Sequence, residues 1–271
     1  MNSEMLANKV LSSKAGREVS PDVVREAVRW ALERYSSKDA EKAVKARLHQ
    51  MYGSYVEDGH IKEANRIVTA LEQNQLDSRE AALKLMALHS STRERLQQLE
   101  ECYGKLFSAC GRPESVLDIA CGFNPLSFYL LGLITVRLTA IDAGCDIAAL
   151  LNRFFAAADM ANARAVSGDA RSGLPAGQVD LALVMKFLPL CERMEKGGAL
   201  KLLRSIDAKY IVVSFPTKTL SGRNVGMEGN YALWFEGLGY EGEIIGKFNA
   251  SNELFYLIST QKTITMKSVA F

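Results

Sequence analysis

Three aspartates stand at the carboxyl-terminal ends of short apolar runs. Asp118 follows Val116 and Leu117, Asp142 closes the run 138–142, and Asp169 closes the run 163–169. If these runs are parallel strands, their ends meet at the edge where open α/β sheets bind ligands. A carboxylate there can pair with an ammonium or sulfonium group, bind both hydroxyls of a ribose, or accept from an adenine amino group. One such acid is ordinarily a solvated turn residue, but three in succession predict an adenosine-containing ligand with a charged tail.

The turn after the first run narrows the choice of ligand. Gly122 is the one glycine in the segment 118–125, so the G-x-G-x-x-G spacing of a dinucleotide-binding turn is absent. An isolated glycine is more often a turn residue than a ligand contact, and Gly122 alone decides nothing. Together with the three acids, it favours S-adenosylmethionine over a nicotinamide cofactor.

The elements that position these acids form an alternating pattern from residue 111 onward. Apolar runs at 116–120, 138–142, 163–169, 179–187 and 210–216 alternate with helical stretches at 126–131, 146–160 and 188–206. Such alternation predicts a parallel sheet with helices on both faces. The runs 243–248 and 254–259 are too close for a parallel crossover and predict an antiparallel hairpin at or near the edge. The outline is that of a class I, Rossmann-like methyltransferase sheet, although fold alone does not establish function.

Residues 1–110 show helical periodicity without strand alternation, and they predict an all-helical accessory domain ahead of a methyltransferase domain at 111–271. A proline at position 21 after Ser20 marks a helix start. Ser91 with Glu94 fits a capping box. Further helices are expected at 39–52, 61–71, 80–88 and 92–107.

Composition excludes several classes of protein. The 271 residues contain 33 basic and 31 acidic side chains and are 48% hydrophobic, which is ordinary for a globular chain. Residues 1–110 hold 17 basic and 16 acidic residues, so RNA binding would need charges gathered on one face. Five cysteines without a C-x-x-C pair and three scattered histidines predict no metal site. The polar N-terminus and short apolar runs predict a cytoplasmic protein.

Several longer motifs carry a family resemblance. The chain resembles the aminoglycoside-resistance methyltransferases of the Arm/Sgm/Rmt type, which modify N7 of guanine-1405 in 16S rRNA, over residues 5–260. The matching blocks are LHSSTRERL (88–96), LDIACGFNPL (117–126), MKFLPL (185–190), VSFPTK (213–218), GMEGNYALWFEG (226–237) and an N-terminal block from Ala46 to Val56. By resemblance, the helical domain docks on the assembled 30S subunit, and the protein acts as a monomer.

The resemblance also assigns residues. It implies S-adenosylmethionine contacts, with Arg93 on the methionine carboxylate, Asp142 on the ribose and Asp169 on the adenine. The full cofactor set is His89, Thr92, Arg93, Asp118, Ala120, Gly122, Asn124, Asp142, Asp169, Ala170, Lys186 and Leu188. Lys186 and Glu228 are implied as residues that position the reacting groups. RNA contacts are expected from Lys45, Arg47, Arg66, Lys209, Lys218, Arg223, Met227 and Trp234, with Lys42 as a further possibility. Several of these charges could equally be solvated helix faces.

The predicted chemistry needs no general base. The loop after the fourth run lacks the N-P-P-[YF] signature of amino-group methylation, and Cys191 is interpreted as a buried helix cysteine rather than a nucleophile. Guanine N7 has an in-plane lone pair, so catalysis reduces to aligning a base, flipped from its helix, with the methyl group. Two alternatives remain: methylation of another rRNA position such as an adenine N1, and a non-catalytic 30S-binding protein. The tail 261–271 has no counterpart in the family and is expected to be a frayed extension.

Overall fold

The computed structural model describes residues 2–53, 59–218 and 226–261, and a seven-stranded sheet forms its centre. The strands lie in the order β3-β2-β1-β4-β5-β7-β6. They are β1 (Ser115–Ile119), β2 (Arg137–Asp142), β3 (Ala163–Ser167), β4 (Val179–Met185), β5 (Ala208–Pro216), β6 (Glu243–Ala250) and β7 (Glu253–Ser259).

The first five strands are parallel, and β7 runs antiparallel to both β5 and β6. Only Ser251 and Asn252 separate β6 from β7, which is too short a link for a crossover. The predicted terminal hairpin is therefore confirmed, with the antiparallel strand second from the edge. The order reverses beside β1, so the topological switch point lies between β1 and β4.

Helices cover both faces of the sheet. The N-terminal region contains α1 (Ser3–Leu11), α2 (Lys14–Arg17), α3 (Pro21–Arg34), α4 (Ala40–Leu48), α5 (His60–Glu72), α6 (Ser78–Leu88), α7 (Ser90–Arg95) and α8 (Leu99–Cys110). A π-helical turn (His49–Gly53) follows α4, and a 3-10 turn (Leu96–Gln98) precedes α8. The sheet region adds α9 (Leu126–Leu130), α10 (Cys145–Ala157), α11 (Leu188–Met194), α12 (Gly198–Ser205) and α13 (Met227–Glu236).

Alternating side chains of the central strands pack into two separate apolar cores. In β4, Leu181 and Leu183 face one core while Ala182 and Val184 face the other, as the two-residue strand period requires. The first core contains α9, α10 and the buried residues of the N-terminal helices, including Tyr103. The second core lies under α11, α12 and α13.

The helical region is joined to the sheet region by backbone as well as by packing. Val19 forms an isolated antiparallel bridge with Gly144. The Ser20 amide donates to the Ala143 carbonyl at 2.8 Å, and the Cys145 amide donates to Glu18 at 3.0 Å. This bridge holds the segment before α3 against the loop that follows β2. The helices up to Cys110 and the strands from Ser115 onward contribute residues to one core, and the domain boundary after residue 110 stays a prediction.

Three helix predictions differ from the structure. The stretch 188–206 is two helices, because Gly197 adopts a left-handed backbone (φ +79°) that ends regular helix. The stretch 92–107 is α7, the 3-10 turn and part of α8. The capping box is wrong: Ser91 lies inside α7, whose N-cap is His89, and its hydroxyl accepts from Arg95. Among the described residues, no helix is long and apolar enough to cross a membrane.

Candidate active site

A cleft opens at the carboxyl ends of the parallel strands, beside the switch point. The structure brings ten of the twelve predicted cofactor residues to its wall: His89, Thr92, Asp118, Ala120, Gly122, Asn124, Asp142, Asp169, Ala170 and Lys186. The other two, Arg93 and Leu188, are not among the lining residues.

The Asp118 carboxylate is almost completely buried at the end of β1. Asn124 donates to it at 2.7 Å, and Tyr103 donates to the Asn124 side-chain oxygen at 3.1 Å. Burial raises the pKa of Asp118 to about 7, although the Asn124 hydrogen bond and the Arg95 charge act in the opposite direction. Asp118 therefore fixes the turn after β1. It also places at the base of the cleft a carboxyl group whose pKa is close to neutral pH.

The turn after β1 lets a ligand approach the backbone closely. Ala120 and Gly122 both have left-handed backbone, with φ of +53° and +51°. A Cβ on Gly122 would come within 3.1 Å of the His89 ring. Burial, together with the nearby Arg95 and Lys186 charges, lowers the pKa of His89 to about 4. A neutral ring consequently lies over the turn at physiological pH.

Asp142 closes β2 and organises two loops at once. One carboxylate oxygen accepts from the Gly122 amide at 2.9 Å, and the other accepts from the Gly144 amide at 2.8 Å. Burial raises the pKa of Asp142, while the backbone donors partly offset this effect. The Ala143 backbone also contributes to holding Asp142. These donors leave an acceptor position on the carboxylate, which can hold about four donors, so the geometry fits a ribose hydroxyl.

Asp169 differs from Asp142 because its carboxylate is already surrounded by donors. The Arg171 side chain donates to both oxygens, at 2.9 and 2.7 Å, and the Arg171 amide donates at 3.0 Å. The Ser172 hydroxyl adds a fourth contact at 3.3 Å. Asp169 is in the predicted place, but its carboxylate oxygens face Arg171 as well as the cleft.

Arg95 occupies the position in the cleft wall that the sequence prediction gave to Arg93. The Arg93 side chain is exposed, and its guanidinium contacts the Ala87 carbonyl at 3.5 Å. Positions two apart on a helix point in nearly opposite directions, so only one of the two arginines of α7 can face the sheet. The assignment of Arg93 to the cofactor carboxylate thus lacks support from this geometry.

Arg95 belongs to a buried charge cluster that sequence reasoning missed. Glu253, at the start of β7, is fully buried and lies 3.3 Å from both the Arg95 and Lys186 nitrogens. Ser214 donates to Glu253 at 2.6 Å, and Lys186 also pairs with Glu94 at 2.8 Å. The sequence signal that could have identified Glu253 is its position as an acidic residue at the start of the apolar run 253–259. Its partners come from α7, the loop after β4, and β5, and could not be read from spacing.

The loop after β4 presents Lys186 to the cleft in a left-handed conformation (φ +58°). Phe187 and Leu190 line the cleft, whereas Leu188 faces the core beneath α11. Leu188 is thus a packing residue, because it begins a helix whose apolar side turns toward the sheet. Burial raises the pKa of Cys191 to about 12, and this agrees with its interpretation as an inert helix cysteine.

The α13 residues lie over the second core rather than in the cleft wall. Tyr231 stacks on Phe215 with ring centroids 5.4 Å apart, and Trp234 meets the same ring edge-on at 6.0 Å. Glu228 accepts from Asn249 of β6 at 2.9 Å, next to the half-buried Met227. The positioning role of Glu228 and the RNA contacts of Met227 and Trp234 stay predictions.

The predicted RNA-binding residues divide by position. Lys218 is exposed just after β5, at the cleft end of the sheet. Lys209 lies seven residues before Pro216, the last residue of β5, and so about 23 Å from that end of the strand. It pairs with Asp180 at 2.7 Å. Arg47 is 6% exposed and lies over Trp30 with its guanidinium 4.2 Å from the ring centroid.

These positions change the expected RNA surface. Lys209 is at the wrong end of the sheet to approach the reaction centre. Arg47 is too buried to meet a phosphate. Lys42 is exposed on α4. Lys45 is partly exposed and pairs with Glu41 of the same helix, and Arg66 is exposed and pairs with Glu63 of its own helix. Arg223, Tyr55, Val56 and the tail from 262 lie outside the described residues, and Gln261 ends the described chain.

The cleft fits S-adenosylmethionine on its own chemistry. It offers a close backbone approach at Gly122, an acceptor position on Asp142, and the cations Arg95 and Lys186 for a carboxylate. Within the described ranges, no cluster of His, Cys, Asp and Glu could hold a metal ion.

Comparisons with known proteins agree with this geometry. The model of the family described as "Ribosomal RNA methyltransferase (FmrO)" matches residues 12–257. A 16S rRNA (guanine(1405)-N(7))-methyltransferase of Serratia marcescens is 39% identical over 264 residues, covering 95% of this chain and 98% of the relative. The 16S rRNA methyltransferase RmtF, solved with S-adenosyl-L-homocysteine, is 36% identical with a TM-score of 0.84, over 96% and 99% of the two chains. The 16S rRNA methylase RmtB is 35% identical with a TM-score of 0.80, over 96% of this chain and 99% of RmtB.

Proposed function

This chain belongs to the FmrO family of ribosomal RNA methyltransferases, and we propose that it methylates N7 of guanine-1405 in 16S rRNA. The methyl donor is S-adenosylmethionine, and the modification confers aminoglycoside resistance. The observation that carries the proposal is the cleft at the strand ends, lined by ten of the predicted cofactor residues. The proposal is also supported by the similarity of nearly the whole chain to a guanine-1405 N7-methyltransferase.

The reaction suits a site without a general base. S-adenosylmethionine supplies, when bound, a methyl group on a positively charged sulfur. Guanine N7 is unprotonated at neutral pH, and its lone pair can attack without losing a proton. The site therefore contributes chiefly by holding both reactants in line and excluding water. Asp142 fixes the turn at Gly122, which holds the cofactor side of this alignment.

Lys186 and Arg95 are proposed to hold the charged end of the cofactor. Lys186 is held between Glu94 and Glu253, so its ammonium has little freedom to move. The Arg95 guanidinium pairs with the same oxygen of Glu253. Arg95 and Lys186 line the cleft, whereas Glu94 and Glu253 do not, so the cationic side of this cluster faces the cleft and favours an anionic group there. The assignment moves the carboxylate contact from Arg93 to Arg95.

The substrate is proposed to be the assembled 30S subunit, bound by a monomer in the cytoplasm. Lys218 lies at the cleft end of β5, where an incoming RNA backbone would pass. Lys42, Lys45 and Arg66 of the helical region are the proposed distal contacts. The near balance of charge over residues 1–110 favours recognition of a folded RNA surface over general attraction to phosphate.

Mapping the methylated nucleotide tests this function. Purified protein is incubated with 30S subunits and radiolabelled cofactor, and the 16S rRNA is then probed by N7-specific strand cleavage and primer extension. We expect incorporation of one methyl group with cleavage at guanine-1405. A bacterium expressing the chain should also become resistant to kanamycin and gentamicin.

Asp142→Asn should reduce incorporation at least tenfold, because it weakens the turn at Gly122. Asp146→Asn, four residues later in the first turn of α10, is the matched control and should retain activity. A stop at an adenine N1 position would support the second enzymatic hypothesis instead. Binding to 30S without incorporation would indicate a non-catalytic binding protein.

A further inference from the structure

The Asp169 carboxylate has no acceptor position left for a ligand in the described structure. A carboxylate offers about four lone-pair positions, and four donors from Arg171 and Ser172 already point at its two oxygens. Asp169 is also 7% exposed and lies in the cleft wall. An adenine amino group can bind this carboxylate only if one of those donors gives way.

Arg171 has a second carboxylate partner, which lies in the helical region. Its guanidinium is 3.3 Å from Glu26 on α3, while it lies 2.7 Å from Asp169. Glu26 in turn contacts Arg47 of α4 at 3.2 Å, and Arg47 stacks on Trp30. The resulting row of charges, Asp169–Arg171–Glu26–Arg47, leads from the cofactor cleft to α3 and α4.

The row is largely shielded from water. The Arg171 side chain is 12% exposed, that of Glu26 25% and that of Arg47 6%. Burial tends to lower the pKa of Arg171, but the Asp169 and Glu26 carboxylates outweigh it and raise the pKa. Ion pairs in such surroundings are screened less by salt than surface pairs. The attraction of Glu26 can therefore weaken the pairing of Arg171 with Asp169, because solvent screens neither ion pair strongly.

We propose that Arg171 and Glu26 determine how strongly Asp169 binds the adenine amino group, so that the helical region forms part of the cofactor site. The inference rests on the proposed cofactor. Glu26 draws the guanidinium away from Asp169, and the freed oxygen accepts from the adenine. Arg171 weakens adenine binding because its guanidinium occupies the Asp169 oxygens that would accept from the adenine amino group. Both are positioning residues, because they act on the ligand through Asp169.

The two residues therefore have opposite effects on affinity. Glu26→Gln leaves Arg171 with Asp169 as its one anionic partner in the row, and adenine binding should weaken. Arg171→Gln removes the two guanidinium contacts and keeps the backbone amide contact of residue 171, so two acceptor positions are freed. Adenine binding should strengthen even though the protein loses stability from an unpaired buried acid. Ser172→Ala removes the longest of the four contacts and should strengthen binding modestly. A purely structural role would instead weaken binding in every variant.

Isothermal titration with S-adenosylhomocysteine and with its analogue that carries hydrogen in place of the 6-amino group measures this effect. The second ligand has no N–H at position 6 or on the neighbouring ring nitrogen, and it cannot donate to Asp169 there. We expect the affinity for S-adenosylhomocysteine to fall about threefold in Glu26→Gln and to rise about threefold in Arg171→Gln, which is less than one full hydrogen bond to a charged group contributes. The preference over the analogue should change by the same factors, because affinity for the analogue stays nearly constant.

Arg25→Gln is the matched control, since Arg25 precedes Glu26 on α3 and pairs with the exposed Asp22. It should bind both ligands like the unmodified chain. Ser172→Ala, which leaves all charges in place, should raise affinity about twofold and covers the case in which Arg171→Gln does not fold.

Equal affinities in Glu26→Gln and Arg25→Gln would overturn the inference. Weaker binding in both Ser172→Ala and Arg171→Gln would overturn it too, as would absence of any preference for the adenine ligand in the unmodified chain. Methyl transfer to guanine-1405 is measured separately, so failure of the proposed function shows itself in a different assay.

Discussion

At the residue scale, the three strand-end aspartates are bound in three different ways. Asp118 is buried against Asn124, Asp142 accepts from two backbone amides, and Asp169 is enclosed by Arg171. Their chemical roles differ accordingly. Asp118 holds the turn, Asp142 keeps an acceptor position open toward the cleft, and the availability of Asp169 depends on its neighbours.

Gly122 permits a local prediction about the turn. Gly122→Ala should cost about 1–2 kcal/mol of unfolding free energy because of its left-handed backbone, and the new Cβ would press on His89. The turn should shift and S-adenosylhomocysteine affinity should fall about tenfold. Urea unfolding and isothermal titration measure the two effects.

Gly132→Ala is the control for this substitution. Gly132 has a similar φ of +69°, but among the described residues no atom beyond its two chain neighbours lies within 4 Å of the position its Cβ would take. It should lose comparable stability while keeping cofactor affinity. Equal loss of affinity in both variants would show that contact with His89 is irrelevant.

His89 makes stability depend on pH. Its pKa falls from about 6.5 in the unfolded chain to about 4 in the folded protein, chiefly through burial. Between these values the unfolded state binds more protons, so His89 contributes stability above pH 6.5 that is lost as pH falls toward 4. The stability advantage of the unmodified chain over His89→Gln should shrink by about 2–3 kcal/mol across this window.

Urea unfolding at a series of pH values tests the prediction. Asp118 titrates with the opposite sign, since its pKa is raised, but it is present in both proteins and cancels in the comparison. A pH-independent difference for His89→Gln would contradict the assignment.

At the element scale, the carboxyl ends of the parallel strands lie at the cleft, and their amino ends lie at the opposite edge of the sheet. Residues at the carboxyl ends of β1, β2 and β4 line the cleft, while Lys209 and its partner Asp180 lie at the amino ends of β5 and β4. Two lysines of the same strand region therefore have different surroundings. Position along β5 decides which of them can contact RNA near the reaction centre.

Lys218→Gln and Lys209→Gln compare the two ends of β5. Lys218→Gln should raise the KM for 30S subunits about threefold and reduce the slope of log affinity against log salt by about 0.7–0.9, as one lost phosphate contact does. Lys209→Gln should leave both quantities unchanged. Filter binding and methylation kinetics at several salt concentrations provide the measurement, and a larger effect at Lys209 would reverse the proposed docking face.

At the scale of the whole molecule, the helical region and the sheet are parts of one packed structure. The first apolar core includes residues of α3 to α6 and α8 together with one face of the sheet. The bridge between Val19 and Gly144 adds a backbone link next to Asp142. Cofactor binding and the arrangement of the N-terminal helices are therefore expected to influence each other.

The two tryptophans can report whether the molecule unfolds as one unit. Trp30 lies on α3 and Trp234 on α13, so Trp234→Phe leaves a probe in the helical region and Trp30→Phe leaves one over the sheet. Each variant's fluorescence midpoint in urea should coincide with its own circular dichroism midpoint, as two-state unfolding requires. S-adenosylhomocysteine should raise both midpoints together. Distinct transitions at the two probes would indicate independent domains.

The sequence by itself determined the class of the fold and the place of the site. Strand periodicity, the short link at residues 251–252 and the acids at 118, 142 and 169 suffice, because these are local patterns set by backbone geometry. The parallel strands and the terminal hairpin were predicted from such patterns, and so were most of the residues lining the cleft.

Tertiary structure decided which partners those residues have. The choice of Arg95 over Arg93, the burial of Arg47, and the contacts of Glu253 and Arg171 join residues far apart in the chain. Their spacing carries no signal, since burial and ion pairing depend on which elements pack together. The three acids in the sequence indicate where the cofactor binds, and the folded chain determines how each carboxylate can act on it.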